Sequence, residues 1–197
     1  MNRDSYNMVA PSWDAMFFGE EQRVVDTFLA GIIAPAAILD LGCGTGRPIG
    51  EYILNRGYEL VGIDQAVGML QLARVRFPQA TWIESRIEDF HTSAQFAGIV
   101  CWDALFHIER SAHAGILQQM ASMLSPNGKI MITIGGSDHP AFTDTMFGQS
   151  FFYDSHPPEL GVHLLKQLGF DIIAAEFLNL PTSERDKGRY CIVATHT

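Results

Sequence analysis

Three glycines alternate in the stretch Asp40-Leu41-Gly42-Cys43-Gly44-Thr45-Gly46, between an apolar run and a helical pattern. Glycine admits positive φ and keeps a Cβ out of the way, so such a turn exposes a row of backbone N–H groups to a close ligand. The helix start behind it adds favourable dipole for negative charge. The alternative is a tight strand-to-helix turn that serves packing alone. A dinucleotide site wants G-x-G-x-x-G under its pyrophosphate. Here Arg47 stands where the third dinucleotide glycine belongs, which favours a ligand without a pyrophosphate. Asp64 ends the next apolar run, "LVGID", where an acid accepts hydrogen bonds from vicinal ribose hydroxyls. It could equally be a carboxylate at a solvated strand end. Further on, "RIEDF" offers Glu88 and Asp89 as acceptors for an exocyclic amine and Ile87 as a purine contact.

These groups need a scaffold. "AAILDL", "YELVGID", "ATWIES", "FAGIVCWDA" and "KIMITIGG" read as strands, separated by helical patterns. Helices are expected around Val24–Ile33, at "RPIGEYILNRG", at "VGMLQLARVRF", around Ile116–Leu124 and around Leu160–Leu168, with "SPNG" a turn after the fourth. A long loop is expected from Ser137 to His156, and "FDIIAAEFL" and "RYCIVATH" close the chain as two strands joined around "SERDKG". Alternating strands and helices predict an α/β sheet, parallel at first, with an antiparallel closing pair. Its ligand belongs beyond the C-terminal strand ends, where the glycine turn lies.

The chain has 197 residues and a net charge of −9, which fits a single folded domain and disfavours non-specific binding to nucleic acid or anionic membrane. The start lacks a signal-peptide h-region and no run reaches transmembrane length, so a cytoplasmic protein is expected. Cys43, Cys101 and Cys191 suggest neither a disulfide framework nor a metal site, and the seven histidines lack ligand spacing, so no metal is expected.

The pattern resembles the class I S-adenosylmethionine (SAM)-dependent methyltransferases over most of the chain. "ILDLGCGTG" is similar to the family's first motif, "VGIDQAVGMLQLAR" to its ribose motif and "RIEDF" to its adenine loop. "FAGIVCWDALFHI" is similar to the fourth-strand motif and "MLSPNGKIMIT" to the fifth-strand segment. The resemblance implies a three-layer, Rossmann-like α/β sandwich. Its sheet has seven mostly parallel strands in the order 3-2-1-4-5-7-6, the last one antiparallel. Residues 36–197 would form this core and 1–34 a helical or lid-like segment. It also implies SAM as cofactor and S-adenosylhomocysteine as product. Asp40, Gly42, Gly44 and Gly46 would line the methionine part, with Cys43 a small turn residue among them. Asp64 would hold the ribose, with Gln65 and Met69 beside the adenosine. Glu88 and Asp89 would flank the adenine, Asp89 as the amino group's partner and Ile87 as a ring contact, and Trp102 would lie near the methionine. Trp102-Asp103 departs from the Asn/Asp-Pro-Pro-aromatic motif of amino-methylating nucleic-acid enzymes. The small-molecule branch, with its uncharacterised bacterial members, is the nearer likeness.

Methyl transfer is an in-line displacement at an activated carbon, so the protein mainly aligns the reactants and excludes water. The catalytic candidates are His107, as general base, and Asp103, four residues earlier on a shared face if that turn is helical. A structural histidine and a helix cap are the alternatives. Substrate contacts are sought in Tyr6, Trp13 and Phe17 (with Phe18 beside it), in His107, and in Tyr153 and His156 of "FFYDSHPPE". His139 has weaker support. The N-terminal aromatics would form a lid whose faces attract a sulfonium, or would simply pack on the core. Asp154 or Ser155 could instead cap the last helix. A nucleotide-dependent oxidoreductase and a non-catalytic SAM-binding domain are the competing functions.

Overall fold

The computed structural model describes residues 1–13, 21–182 and 188–196. Seven strands form one sheet: β1 (Ala37–Leu41), β2 (Glu59–Asp64), β3 (Thr81–Glu84), β4 (Phe96–Cys101), β5 (Leu124–Ile134), β8 (Phe170–Asn179) and β9 (Arg189–His196). Their order is β3-β2-β1-β4-β5-β9-β8. The first five run parallel, and β9 pairs antiparallel with both β5 and β8. With the separate hairpin β6 (Phe142–Met146) and β7 (Gln149–Tyr153) set aside, this is the expected 3-2-1-4-5-7-6 arrangement.

Side-chain alternation along the strands builds the layers. Leu39 and Leu41 face one core, with Ile63, Ile99, Ile130 and Ile132, and Ile38 faces the other, with Leu60, Val100 and Met131. The first core lies under α5 (Arg110–Ser122) and α6 (Pro158–Gln167); the second lies under α2 (Gln22–Leu29), α3 (Ile49–Asn55) and α4 (Val67–Arg76). Phe28 of α2 seats on Gly98 of β4, where an added Cβ would come 2.5 Å from Phe28 Cζ.

The N-terminal segment gains detail, and two expectations change. The N-terminal segment forms a regular helix, α1 (Asn2–Trp13), with Pro11 in its last turn. The long loop at 137–156 contains the hairpin. Its turn residues Phe147 and Gly148 both have positive φ (52° and 74°), the geometry that matches the twist of paired strands. A phenylalanine at that position hides the hairpin signal that Asn-Gly would give. Lastly, "SPNG" does not interrupt β5. The strand runs through it with Asn127 at φ 60° and a register shift between Phe96 and Gly98 on β4.

Gly98→Ala should destabilise the protein by about 1–3 kcal/mol, because the methyl overpacks the Phe28 contact. Urea unfolding should show a lower midpoint at unchanged slope.

Candidate cofactor and substrate cleft

A cleft of roughly 950 Å³ opens over the C-terminal ends of β1, β2 and β4, with α1 along its far side. The three glycines of the turn have three different reasons. A Cβ on Gly42 (φ 80°) would lie 2.3 Å from Ala104 Cβ, so the loop after β4 needs it bare. A Cβ on Gly46 would strike Phe77 and Trp82 at 2.9 Å. Gly44 (φ 53°) has nothing within 4 Å of its missing side chain and faces the cleft. Gly42, Cys43 and Gly44 line the cleft; Gly46 does not, and packs the turn onto the second core.

Asp64 straps this turn to β2. Its Oδ2 accepts from Gly44 N–H at 2.9 Å and its Oδ1 from Ala66 N–H at 2.8 Å. Gly42 and Cys43 N–H both donate to Ile63 O, at 2.8 and 3.0 Å. Burial raises the Asp64 pKa against the pull of those amides. Each carboxylate oxygen keeps a lone pair for a ligand. Asp40, only 2% exposed, has its pKa pushed up to about 7, first by burial and then by the charge of Asp64. Among the described residues no side chain pairs with it. The Cys43 thiol is driven well above its usual pKa by burial, which removes it as a nucleophile.

Gln65, Met69, Ile87, Glu88 and Trp102 all line the cleft. Asp89 does not: its carboxylate is 69% exposed and faces Arg86 at 3.8 Å. Glu88, bound to Arg86, takes the inward place.

At the other end, Asp103 follows β4 in a left-handed conformation (φ 50°), so it leaves the strand and turns inward. A 3-10 turn, Leu105–His107, comes next. Arg189 grips Asp103 through Nη2–Oδ2 (2.8 Å) and Nε–Oδ1 (3.0 Å) and reaches Glu21 Oε1 at 3.0 Å. Thr133 Oγ1 also donates to Asp103. Burial raises the Asp103 pKa and Arg189 opposes it; the bidentate pair keeps the carboxylate ionised. The Arg189 guanidinium lies 5.3 Å from the Trp102 ring centre.

His107 meets Phe152 O through Nδ1 at 2.9 Å and Tyr6 Oη through Nε2 at 2.7 Å. A carbonyl only accepts, so Nδ1 carries the proton and Nε2 accepts from the phenol. Burial pushes the His107 pKa down to about 4 and the Tyr6 pKa well up, so the pair is neutral at pH 7. His107 lines the cleft with Asp103, but its ring nitrogens are both engaged.

Tyr6 and Trp13 line the cleft and pack edge to face at 5.3 Å; Phe17 and Phe18 lie outside the described residues. Tyr153 and His156 do not line it. Tyr153 packs behind His107 at 4.8 Å, and His156 Nε2 bonds Arg110 O at 3.1 Å. Asp154 caps α5 rather than the last helix, accepting from Arg110 N–H at 2.7 Å, and Ser155 Oγ accepts from Gly135 N–H at 2.9 Å. The "YDSH" segment thus ties the hairpin to the sheet. His139 is likewise no part of the lining.

Sequence reasoning missed Asn2, Glu21 and Arg189. Asn2 Nδ2 donates to His107 O and Phe152 O (3.2 and 3.1 Å), and its Oδ1 accepts from Phe152 N–H at 2.8 Å. Ser5 Oγ donates to Ser150 O at 2.6 Å, and Gly68 N–H donates to Asn7 Oδ1 at 2.8 Å. These bonds sew α1 to β7 across more than half the sequence and to α4 across 61 residues, and no local spacing signals them.

A methyltransferase-domain family model matches residues 38–128. The trans-aconitate 2-methyltransferase of Yersinia pseudotuberculosis is 31% identical over 129 residues, 61% of this chain and 48% of that protein. The enzyme of the same name from Acidovorax sp. is 29% identical over 130 residues, 62% and 48% of the two chains. The chain spans about half the length of these curated relatives. The structure of Burkholderia thailandensis 1,6-didemethyltoxoflavin-N1-methyltransferase superposes with a TM-score of 0.72 at 21% identity, covering 98% of this chain and 84% of that one. Magnesium protoporphyrin IX methyltransferase from Synechocystis gives 0.73 at 16% identity, covering 100% and 95%. Those two structures hold S-adenosylhomocysteine and SAM, respectively.

Asn2→Ala should cost about 1–3 kcal/mol, since it strips the Phe152 amide of its buried partner. Hydrogen exchange should quicken at Phe152 and along α1 while the central strands stay protected. Residues 38–128 are thus similar to methyltransferase domains, and the chain shares the fold of solved methyltransferases.

Proposed function

We propose that the protein moves a methyl group from SAM to a small-molecule acceptor by in-line displacement. The observation that carries this is a pair of carboxylates, the buried Asp40 and the half-buried Asp64, flanking the bare backbone of Gly44. SAM brings an activated methyl on a sulfonium together with an ammonium, so a buried anion without a protein partner fits it. In this reading Asp40, Gly42, Cys43 and Gly44 hold the methionine part. Asp64 accepts from the ribose, with Gln65 and Met69 beside the adenosine. Ile87 covers the adenine and Glu88, not Asp89, takes its amino group. Trp102 and the groups of α1 enclose the methyl and keep water away.

Arg47 at the third dinucleotide position, together with the family-model match, weighs against the oxidoreductase reading. A SAM-binding domain without catalysis would bind the cofactor and turn over no acceptor. The −9 charge argues against a nucleic-acid substrate. Three free cysteines suit a reducing cytoplasm, and no helix among the described residues is long and apolar enough to cross a membrane. We take 36–197 as one core domain with 1–34 as its cover.

Calorimetry with SAM and S-adenosylhomocysteine tests the proposal; no binding at submillimolar concentration would overturn it. Asp64→Ala should weaken SAM about tenfold or more, as one charge-assisted hydrogen bond is lost.

The Asp40 carboxyl adds a pH signature. Its pKa of about 7 in the free protein should fall when the cation binds. SAM binding should therefore release a proton near pH 6, and affinity should rise by up to about tenfold per pH unit below 7 and level off above it. Titration in buffers of different ionisation enthalpy reads the proton, and Asp40→Asn should abolish its release.

A further inference from the structure

The acceptor end of the cleft carries a charge and hydrogen-bond pattern that narrows what can bind there. Resting on the methyl-transfer reading, we propose that the acceptor is an uncharged or cationic molecule that donates an N–H or O–H hydrogen bond, and not a polycarboxylate.

Each of the four arginines that line the cleft already holds a carboxylate: Arg3 with Glu84 (3.3 Å), Arg47 with Glu51 (3.0 Å), Arg86 with Glu88, and Arg189 with both Asp103 and Glu21. By contrast, no arginine or lysine among the described residues pairs with the lining acids Asp4, Asp40 and Glu109. SAM can satisfy Asp40, whereas a second anion would have to share an arginine with the carboxylate it already holds.

Hydrogens are committed in the same way. The Tyr6 phenol gives its proton to His107, the His107 Nδ1–H goes to Phe152 O, Thr133 donates to Asp103, and Arg189 spends its Nε, Nη1 and Nη2 on carboxylates. Beside the two N–H groups that Arg189 keeps, a guest meets acceptors: the second lone pair of Tyr6 Oη and those of Asp103. The ring faces of Tyr6, Trp13 and Trp102 add surfaces that attract a cation. A donor-bearing nucleophile meets these acceptors and ring faces favourably. A cationic amine first loses its proton to water; the freed lone pair, or that of an uncharged acceptor, forms the new bond to the methyl carbon as the carbon–sulfur bond breaks and that pair stays on sulfur. The acceptor's displaced proton passes to the ionised Asp103 and then to water. Tyr6, Glu21 and Arg189 lie outside the 38–128 segment that the family model matches.

The test pairs two probes of one shape on the S-adenosylhomocysteine complex: phenethylamine and 3-phenylpropionate, at low salt, by calorimetric or NMR titration. The amine should bind at least about tenfold tighter, and Glu21→Gln should narrow that gap several-fold by removing one negative charge. Equal affinities, a reversed order, no saturation by either probe at 10 mM, a gap unmoved by Glu21→Gln, or methyl transfer to trans-aconitate would each overturn the inference. Binding of S-adenosylhomocysteine is measured first in the same experiment. Its failure refutes the methyl-transfer reading, whereas a protein that binds it and shows no preference refutes only the acceptor class.

Discussion

Two carboxylates at the tips of neighbouring strands, Asp40 buried and Asp64 half-buried, are the constraint on which the rest of this structure turns. Asp40 and Asp64 lie one strand apart, and each raises the cost of the other's charge. Asp64 is relieved by backbone amides, and in taking them it fixes the glycine turn. Asp40 has no such relief. A shift from the ordinary carboxylate value to about 7 is a burden on the order of 4 kcal/mol for the ionised, unliganded state. Because the native state holds that proton where the unfolded chain has lost it, this group lowers stability as pH rises from about 4 to 7. A fold keeps such a group where something else compensates it, and a cationic ligand is the compensation the cleft can take.

The remainder of the molecule holds that arrangement shut to water on one side and open on the other. The sheet supplies rigidity: Ile38 and Leu39 of β1 and Ile63 of β2 are fully buried, so the strand tips do not shift when a ligand arrives. The cover comes from α1, whose Val9 and Ala10 pack with Ala66, Met69 and Phe151 in a small third core. The same helix positions Tyr6 over the cleft and, through Asn2, fixes the carbonyl that orients His107. Cover and acceptor wall are thus one mechanical unit.

How much of this was legible follows from the range of each interaction. The strand order, the glycine turn and Asp64 are written in local patterns: apolar runs, alternating glycines, an acid at a strand's end. Within the acidic loop, however, sequence alone could not choose between Glu88 and Asp89. Adjacent residues face opposite ways, and it is Glu88, not the Asp89 that the resemblance favoured, that lines the cleft. The three glycines look alike in sequence, yet only Gly44 is bare for a ligand; Gly42 and Gly46 answer to Ala104, Phe77 and Trp82. Tyr153 and His156 sit where substrate groups were expected, but the unforeseen hairpin turned that stretch into a brace. Arg189 opens the final strand as one more polar residue. Its partners are 86 and 168 residues away, so its place in the cleft depends wholly on the fold.

Two halves of the cleft therefore have different origins. In the proposed reading, the cofactor half is built within 38–128 from backbone geometry and strand-end acids, and the acceptor half lies mostly outside that segment. The acceptor half is assembled from α1, Glu21, the hairpin and the first residue of β9, which meet only because the antiparallel strand returns beside β5. Substitution in those outlying segments can change charge and donor pattern without touching the turn that Asp64 holds. A shared cofactor half is compatible with unlike acceptors, and the acceptor of this protein is to be sought in the charges of Asp103, Arg189 and Glu21 rather than in the glycines.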